Sequence, residues 1–248
     1  MPLSDERISA LSPRHKLAIA AAVSYIQETF DPSGILVAGT IVRREGHINS
    51  DLDFAVVHYK PWRQRVQRFE EGIPIEIFVN PPGEWLRAFE REAQSGHPPM
   101  LGMFSSGVIV LEREPTISTL VKEARSRFEQ GPQISEEHRE GLRYTLVTHF
   151  EDAVDIEQID LDRSNAFVVN SLLQAARLHF LQAGKWLPRE KLLLSSLESL
   201  SPDLGQSIRG VFDAPRTHWV QLATPIIERV AGTARFFAWD SEPQPVAL

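Results

Sequence analysis

The sequence predicts an α+β fold, in which a mixed sheet of four to five strands with flanking helices precedes an all-α helical bundle. The first observation is that short apolar runs typical of strands, as at residues 35–39, 51–58 and 73–80, alternate with helical patterns before residue 114. The second is that, from residue 116 onward, apolar residues recur at helical spacing, as in Phe167, Leu172 and Ala175. We therefore predict a first domain over residues 1–114 and a bundle over residues 115–240. Residues 241–248, which include Ser-Glu-Pro-Gln-Pro, are predicted to be disordered.

The first domain is predicted to alternate helices and strands. Pro13 is compatible with the first turn of a helix, and the Asp-Pro-Ser-Gly run at residues 31–34 ends it. Pro81, Pro82 and Gly83 break the chain before the next helix. The predicted helices cover residues 11–30 and 84–95, a helical turn follows residue 99, and the predicted strands cover residues 35–39, 51–58, 73–80 and 107–113.

The second domain is predicted to contain only helices, because its apolar stripes are separated by Gly, Pro and Asp rather than by strands. The predicted bounds are residues 116–129, 135–157, 164–183, 188–199, 203–212 and 216–236.

Composition excludes several functional classes. The net charge is −7, which disfavours binding of nucleic acid through its phosphates and favours a small molecule or a cation as partner. The absence of cysteine excludes thiolate metal ligands and cysteine nucleophiles. No apolar run is long enough for a membrane helix, and the N-terminal residues lack the basic start of a secretory signal. We expect a cytoplasmic protein with no membrane partner.

Acidic residues interrupt two predicted strands that are otherwise apolar. Asp51 and Asp53 are two positions apart, so their side chains lie on one face, while Leu52 and Phe54 point to the core. Glu76 occupies the corresponding face of the next predicted strand. If the two strands are neighbours, the carboxylates converge and repel one another. A bound divalent cation commonly offsets such repulsion in proteins. The alternative for Glu76 is an edge-strand residue that faces water.

A glycine turn lies close to these acids. Gly39 and Thr40 follow the first predicted strand, where backbone amides and a hydroxyl can approach phosphates. Two cations bridged by carboxylates would activate an attacking oxygen and stabilise a leaving pyrophosphate. The turn and the acids together predict phosphoryl chemistry.

The order of these residues resembles the nucleotidyltransferase superfamily, which includes polymerase beta and the aminoglycoside nucleotidyltransferases. Gly39-Thr40 matches its Gly-Ser element, with Thr in place of the commoner Ser. Ser50 followed by Asp51-Leu52-Asp53 matches its paired metal ligands, and Glu76 stands where the family has its third acid. The resemblance implies a nucleotidyltransferase that uses Mg²⁺, as two ions, and ATP or another nucleoside triphosphate. It implies that Glu76 is either a metal ligand or the general base.

The second half also resembles the two-domain aminoglycoside enzymes. In them a Gly-Lys turn and a Pro-initiated helix face the nucleotide, which makes Lys185, Arg189 and Lys191 candidate phosphate or substrate contacts. The resemblance implies transfer of a nucleoside monophosphate to a hydroxyl of a small-molecule acceptor, with an aminoglycoside-like antibiotic as the best single choice.

Several alternatives stay open at the level of sequence. Arg43, Arg44 and His47 either reach the triphosphate or are solvated loop charges, and the three basic bundle residues are equally compatible with surface positions. Glu151 and Asp155 share a helix face that is either simply solvated or attracts a cationic acceptor. Asp152 belongs to the same acidic stretch of the helix. A separate hypothesis takes Arg143 and His149 as a ribonuclease-like pair.

The functional alternatives are of different classes. The chain could be a nucleotide-binding regulatory module without turnover, or a nucleotidyltransferase that modifies a protein. A polymerase or tRNA-terminal transferase is disfavoured by the net charge of −7. Both monomer and homodimer are compatible with the sequence.

Overall fold

The structure is a computed structural model, and it describes residues 5–43, 50–241 and 243. The chain forms two compact units. Unit 1 comprises Met1–Ala93 and Pro98–Gly131, and unit 2 comprises Gln94–His97 and Pro132–Leu248. In the described part of the chain, no helix is both long enough and apolar enough to cross a lipid bilayer.

Unit 1 contains the strands and the helices that flank them. The strands are β1 (Gly34–Ala38), β2 (Leu52–Val57), β3 (Gln64–Glu70), β4 (Ile73–Asn80) and β5 (Val108–Glu112). The helices are α1 (Glu6–Ser9), α2 (Pro13–Phe30), α3 (Pro82–Ser95), α4 (Pro99–Ser106) and α5 (Thr116–Gln130).

The strands of unit 1 form one mixed sheet in the order β3-β4-β2-β1-β5. β2 and β4 are parallel, and every other pair in this order is antiparallel. The predicted α+β class, with its mixed sheet and flanking helices followed by a helical region, is confirmed. β3 was absent from the strands assigned individually from the sequence. It is an edge strand whose side chains are mostly exposed, so it lacks the apolar alternation that marks the other strands.

The two faces of the sheet differ in what covers them. On one face, Leu52, Phe54, Ile75 and Ile77 are buried in the core that also contains the apolar side of α2. On the opposite face, α4 and α5 cover the side of the sheet that contains β1, and a Cβ on Gly34 would lie 2.7 Å from the Cβ of Ile117 of α5. The β3 and β4 side of that face stays accessible, since Arg65, Gln67 and Phe69 are exposed. The accessible part of the sheet is therefore next to the acidic residues.

The position of α5 extends the first unit beyond the boundary predicted at residue 114. Ile117, Leu120, Val121 and Ala124 form the buried side of this helix, and α5 packs against β1, β5 and α4. Because these apolar side chains complete the core of unit 1, the unit continues to Gly131. A helical pattern alone does not show to which core a helix contributes.

Unit 2 is all-α, as the sequence predicts. It contains α6 (Glu136–Ile156), α7 (Leu161–Gln182), a 3-10 turn (Glu190–Leu192), α8 (Leu193–Leu200), α9 (Pro202–Asp213), a second 3-10 turn (Arg216–His218) and α10 (Trp219–Ala231). The core is formed by the apolar sides of these helices, with Phe150, Leu172 and Ile227 fully or almost fully buried.

The observed bounds of several bundle helices differ from the prediction, and local contacts explain the end of α10 and the start of α7. The last helix stops at Ala231 rather than residue 236, because Gly232 has a φ of +76° and donates its amide to the Glu228 carbonyl. α7 begins at Leu161 rather than residue 164, since Asp160 is an N-cap whose carboxylate accepts from the Arg163 amide. Asp160 therefore starts α7 rather than only interrupting the helical pattern.

Candidate active site

Pairing of β2 with β4 brings the strand acids together. These strands are parallel neighbours, and Asp53 lies directly opposite Glu76 in their register. Asp51 immediately precedes β2 and points to the same face. One carboxylate oxygen of each of these residues lies within 4.8 Å of the others. β2 and β4 are thus neighbouring strands, which is the condition for the three carboxylates to converge.

The backbone of this acidic cluster, Asp51, Asp53 and Glu76, is rigidly supported while its side chains remain accessible. Leu52, Phe54, Ile75 and Ile77 alternate with the acids and are buried. Asp51 is exposed, and Asp53 and Glu76 are half-buried. Because the alternating apolar residues anchor both strands, the carboxylates project from a fixed surface. β4 is flanked by β2 and β3, so Glu76 does not lie on an edge strand.

Gly39 lets the chain pass close to the acidic cluster. Ala38, the last residue of β1, lies opposite Asp53 in the sheet, and the chain then turns with a φ of +103° at Gly39. A Cβ at this position would lie 2.9 Å from the Asp51 carbonyl oxygen and 3.2 Å from Asp53 Oδ2. Any larger residue would therefore push against the acids, in a conformation that L residues rarely adopt.

The turn after Gly39 holds the other motif residues. The Arg43 amide donates to the Gly39 carbonyl at 3.3 Å, which closes a helix-like turn. Thr40 is buried, and its hydroxyl donates to Ser50 Oγ at 3.0 Å. This hydrogen bond joins the two ends of the motif loop. Arg44 and His47 lie outside the described residues.

Two side chains of β3 contact Glu76. Arg65 forms an ion pair with Glu76 Oε1, and Gln67 donates to the same oxygen at 3.3 Å. Gln67 lies directly opposite Glu76 in the antiparallel β3–β4 register. Neither residue was predicted to belong to the site, because β3 was not predicted as a strand. Val66 and Phe69 are the apolar residues of β3, and their spacing of three gives no alternation in the sequence that would mark a strand.

The donor set of the acidic cluster fits a hard divalent cation. Mg²⁺ takes oxygen ligands at about 2.0–2.1 Å in octahedral geometry, which places its ligands roughly 3–4 Å apart. The observed limit of 4.8 Å between carboxylate oxygens is only slightly wider, so small side-chain rotations suffice. Asp51, Asp53 and Glu76 supply three oxygen donors and no softer ligand. The residues present are therefore suited to Mg²⁺ or Mn²⁺.

The basic candidates from the second half belong to unit 2. Lys185 lies in the loop after α7, Arg189 precedes the first 3-10 turn and Lys191 is within it. All three side chains are exposed. Glu190 between them pairs with Arg177 at 2.6 Å, and this contact lowers the pKa of the Glu190 carboxyl.

The remaining bundle candidates make contacts within unit 2. Arg143 donates to the Ala231 carbonyl and pairs with Glu140. His149 Nδ1 lies within hydrogen-bond distance of Asn170 and Gln174. Six positions along α6 correspond to a rotation of about 240°, so Arg143 and His149 point in different directions. The geometry does not assemble a ribonuclease-like pair. Glu151 accepts from the Phe236 amide at 2.7 Å, whereas Asp152 and Asp155 are exposed.

One buried acid in unit 1 was not singled out from the sequence. Glu92 of α3 accepts the amides of Met100 and Leu101, both at 2.8 Å, at the start of α4. Burial raises the pKa of its carboxyl to about 7, although the two amides act in the opposite direction. Glu92 therefore serves as the N-terminal cap of α4, which has no side-chain cap of its own.

Comparison with known proteins defines the class of fold. No family model matches the chain, and no curated protein is similar to it at a significant level. Among solved structures, it is similar to a nucleotidyltransferase-like protein from Exiguobacterium sibiricum, with a TM-score of 0.57 and 14% identity. The match covers 88% of this chain and 74% of that one. The chain therefore has a nucleotidyltransferase-like α+β fold, with the acidic cluster on its sheet.

Proposed function

We propose that the protein transfers a nucleoside monophosphate from a nucleoside triphosphate, with ATP the first choice, to a hydroxyl group of a small-molecule acceptor. The observation that carries this proposal is the acidic cluster beside the Gly39 turn, with its oxygens within 4.8 Å of one another. The likeness in fold to a nucleotidyltransferase-like protein supports the same class of reaction.

The residues of the site have distinct parts in this proposal. Asp51 and Asp53 would hold Mg²⁺, and Glu76 would complete the shell or accept the proton of the acceptor hydroxyl. When bound, Mg²⁺ would neutralise charge on the triphosphate and on the departing pyrophosphate. Gly39 lets backbone amides approach the phosphates, and Thr40 and Ser50 hold the loop together. Arg43, Lys185, Arg189 and Lys191 are proposed contacts of the substrates.

The reaction is tested by Asp53→Asn. The variant should lose Mg²⁺-dependent pyrophosphate release by at least about a hundredfold, because it loses a charged metal ligand. Its thermal stability without metal should hold or rise, since one of three like charges is removed. Asp203→Asn, an exposed aspartate of α9, is the matched control and should keep full activity. Unchanged turnover in Asp53→Asn would overturn the assignment.

The acceptor is proposed from the resemblance to aminoglycoside-modifying enzymes. Incubation with labelled ATP, Mg²⁺ and a panel of aminoglycosides, other hydroxyl-bearing metabolites and proteins would show which compound carries the label. Label on an aminoglycoside hydroxyl is expected. Label found only on protein would favour the protein-modifying alternative.

A second candidate function is nucleotide binding without turnover. The pairing of Glu76 with Arg65 favours it, because the third acid is then engaged by a guanidinium. Calorimetry with ATP and Mg²⁺ separates the two candidates. Heat of binding without subsequent pyrophosphate release would support the binding module, whereas slow release of pyrophosphate would support the enzyme.

A further inference from the structure

Arg65 occupies the carboxylate that the proposed metal site requires. Its guanidinium contacts Glu76 Oε1 through both Nε and Nη2. The Gln67 amide reaches the same oxygen at 3.3 Å. One oxygen of Glu76 is therefore already surrounded by donors before any cation is bound.

The contact follows from the register of the sheet. Arg65 lies opposite Phe78, two residues beyond Glu76 on β4, so it reaches Glu76 diagonally across the strand pair. Its guanidinium lies over the Phe78 ring at 5.3 Å from the ring centre. The Arg65 side chain is 62% exposed, whereas that of Glu76 is 13% exposed. The Arg65 side chain can therefore move from the ion pair into solvent at a small cost in free energy, whereas Glu76 stays on the surface of the sheet.

The charges of the site predict that a bound cation replaces Arg65 as the partner of Glu76. Without a cation, the ion pair with Arg65 reduces the repulsion between Glu76 and the two aspartates. With a cation bound next to Glu76, the guanidinium and the cation would repel each other and compete for the negative charge of the same carboxylate. A cation and Arg65 therefore weaken each other's binding to Glu76.

We propose that Arg65 is an internal competitor of the divalent cation. It occupies Glu76 in the cation-free site and is displaced when the cation binds. This inference rests on the proposed function, because it concerns the same metal site. The expected consequence is a lower cation affinity than the three carboxylates alone would give. For an ion pair whose guanidinium is largely exposed, the difference is about fivefold in the dissociation constant.

Isothermal titration with Mn²⁺ alone, without nucleotide, tests the competition. Arg65→Met removes the guanidinium but keeps an apolar stem against Phe78, and it should bind Mn²⁺ about fivefold more tightly than the natural protein. Arg65→Lys keeps the charge with a single donor group and should lie between them. Mn²⁺ should also raise the thermal midpoint of Arg65→Met more than that of the natural protein.

Arg113→Met is the matched control. Arg113 also pairs with an acid, Asp31, at 2.7 Å, and it follows β5 beside the start of β1. The acidic cluster lies at the other end of β1, on the order of 15 Å away along the strand. The variant loses the same charge and should bind Mn²⁺ with the natural affinity, because screening weakens interactions over that distance.

The possible outcomes separate this inference from the proposed function. Tighter binding in Arg65→Met but not in Arg113→Met supports the competition. Equal or weaker binding in Arg65→Met overturns it, and the metal site still stands if Asp53→Asn loses the Mn²⁺ bound by the natural protein. If neither the natural protein nor Arg65→Met binds Mn²⁺ at millimolar concentration, both the competition and the metal site are wrong.

Discussion

At the scale of single residues, the position of Gly39 restricts the choice of residue most strongly within the site. Its φ of +103° is one that side chains with a Cβ rarely adopt, and a Cβ would meet both Asp51 and Asp53. We predict that Gly39→Ala destabilises unit 1 by about 1–2 kcal/mol. It should also lower pyrophosphate release at least tenfold, because the acids must shift. Urea denaturation and a pyrophosphate assay measure the two effects.

Gly141→Ala provides the comparison for this substitution. Gly141 lies inside α6, and an added Cβ would have no atom within 4 Å. The same chemical change should stabilise the protein by roughly 0.5–1 kcal/mol, because alanine loses less conformational freedom than glycine in a helix. Equal effects of the two substitutions on stability would show that the turn at Gly39 is not strained by a side chain.

At the scale of elements, the cap of α4 makes stability depend on pH. The pKa of Glu92 is raised from 4.5 to about 7 by burial, so the native state keeps a proton that the unfolded state releases. The stability contributed by this proton is complete below about pH 4.5 and is lost as the pH rises through about 7. Glutamine has no proton to release in this range, so Glu92→Gln should not lose stability in this way. We predict that the free energy of unfolding of Glu92→Gln, minus that of the natural protein, increases by roughly 2–3 kcal/mol from pH 5 to pH 8.

Denaturation in urea at several pH values measures this difference. Glu129→Gln, at an exposed position near the end of α5, is the control and should follow the natural protein at each pH. A stability difference between Glu92→Gln and the natural protein that does not change from pH 5 to pH 8 would contradict the raised pKa.

β3 differs from the other strands in that its sequence does not reveal it. The predicted strands at residues 35–39, 51–58 and 73–80 correspond to β1, β2 and β4, because buried strands select runs of β-branched residues. β3 is held by backbone pairing with β4 and exposes most of its side chains, so polar residues are tolerated there. Because β3 was not predicted, the contacts of its residues Arg65 and Gln67 with Glu76 were not predicted either.

At the scale of the whole molecule, the two compact units predict where the chain can be divided. Residues 1–131 should fold alone and unfold cooperatively in urea, because they include the whole of unit 1, together with only the short segment Gln94–His97 of unit 2. A fragment of residues 1–114 lacks α5 and exposes the parts of β1, β5 and α4 against which α5 packs. It should show a markedly lower midpoint or no cooperative transition, as measured by circular dichroism. Equal midpoints would contradict the assignment of α5 to unit 1.

The sequence by itself determined the class of fold and the residue types of the candidate site. Alternation of apolar residues with Asp51, Asp53 and Glu76 requires that the acids lie on one side of their strands, whatever the order of those strands. Likewise, the helical spacing after residue 116 predicts helices, and the described residues that follow it form no strand. Such periodic patterns are local, so they can be recognised without knowledge of contacts.

Only the tertiary structure decided which elements meet. The parallel pairing of β2 with β4 sets Asp53 opposite Glu76, and the antiparallel pairing of β3 with β4 sets Arg65 within reach of it. The same holds for α5 in unit 1 and for Glu92 at the start of α4. Each of these contacts joins segments that are separated along the chain. Their partners are selected by burial and pairing in the folded state, which leave no periodic pattern in the sequence.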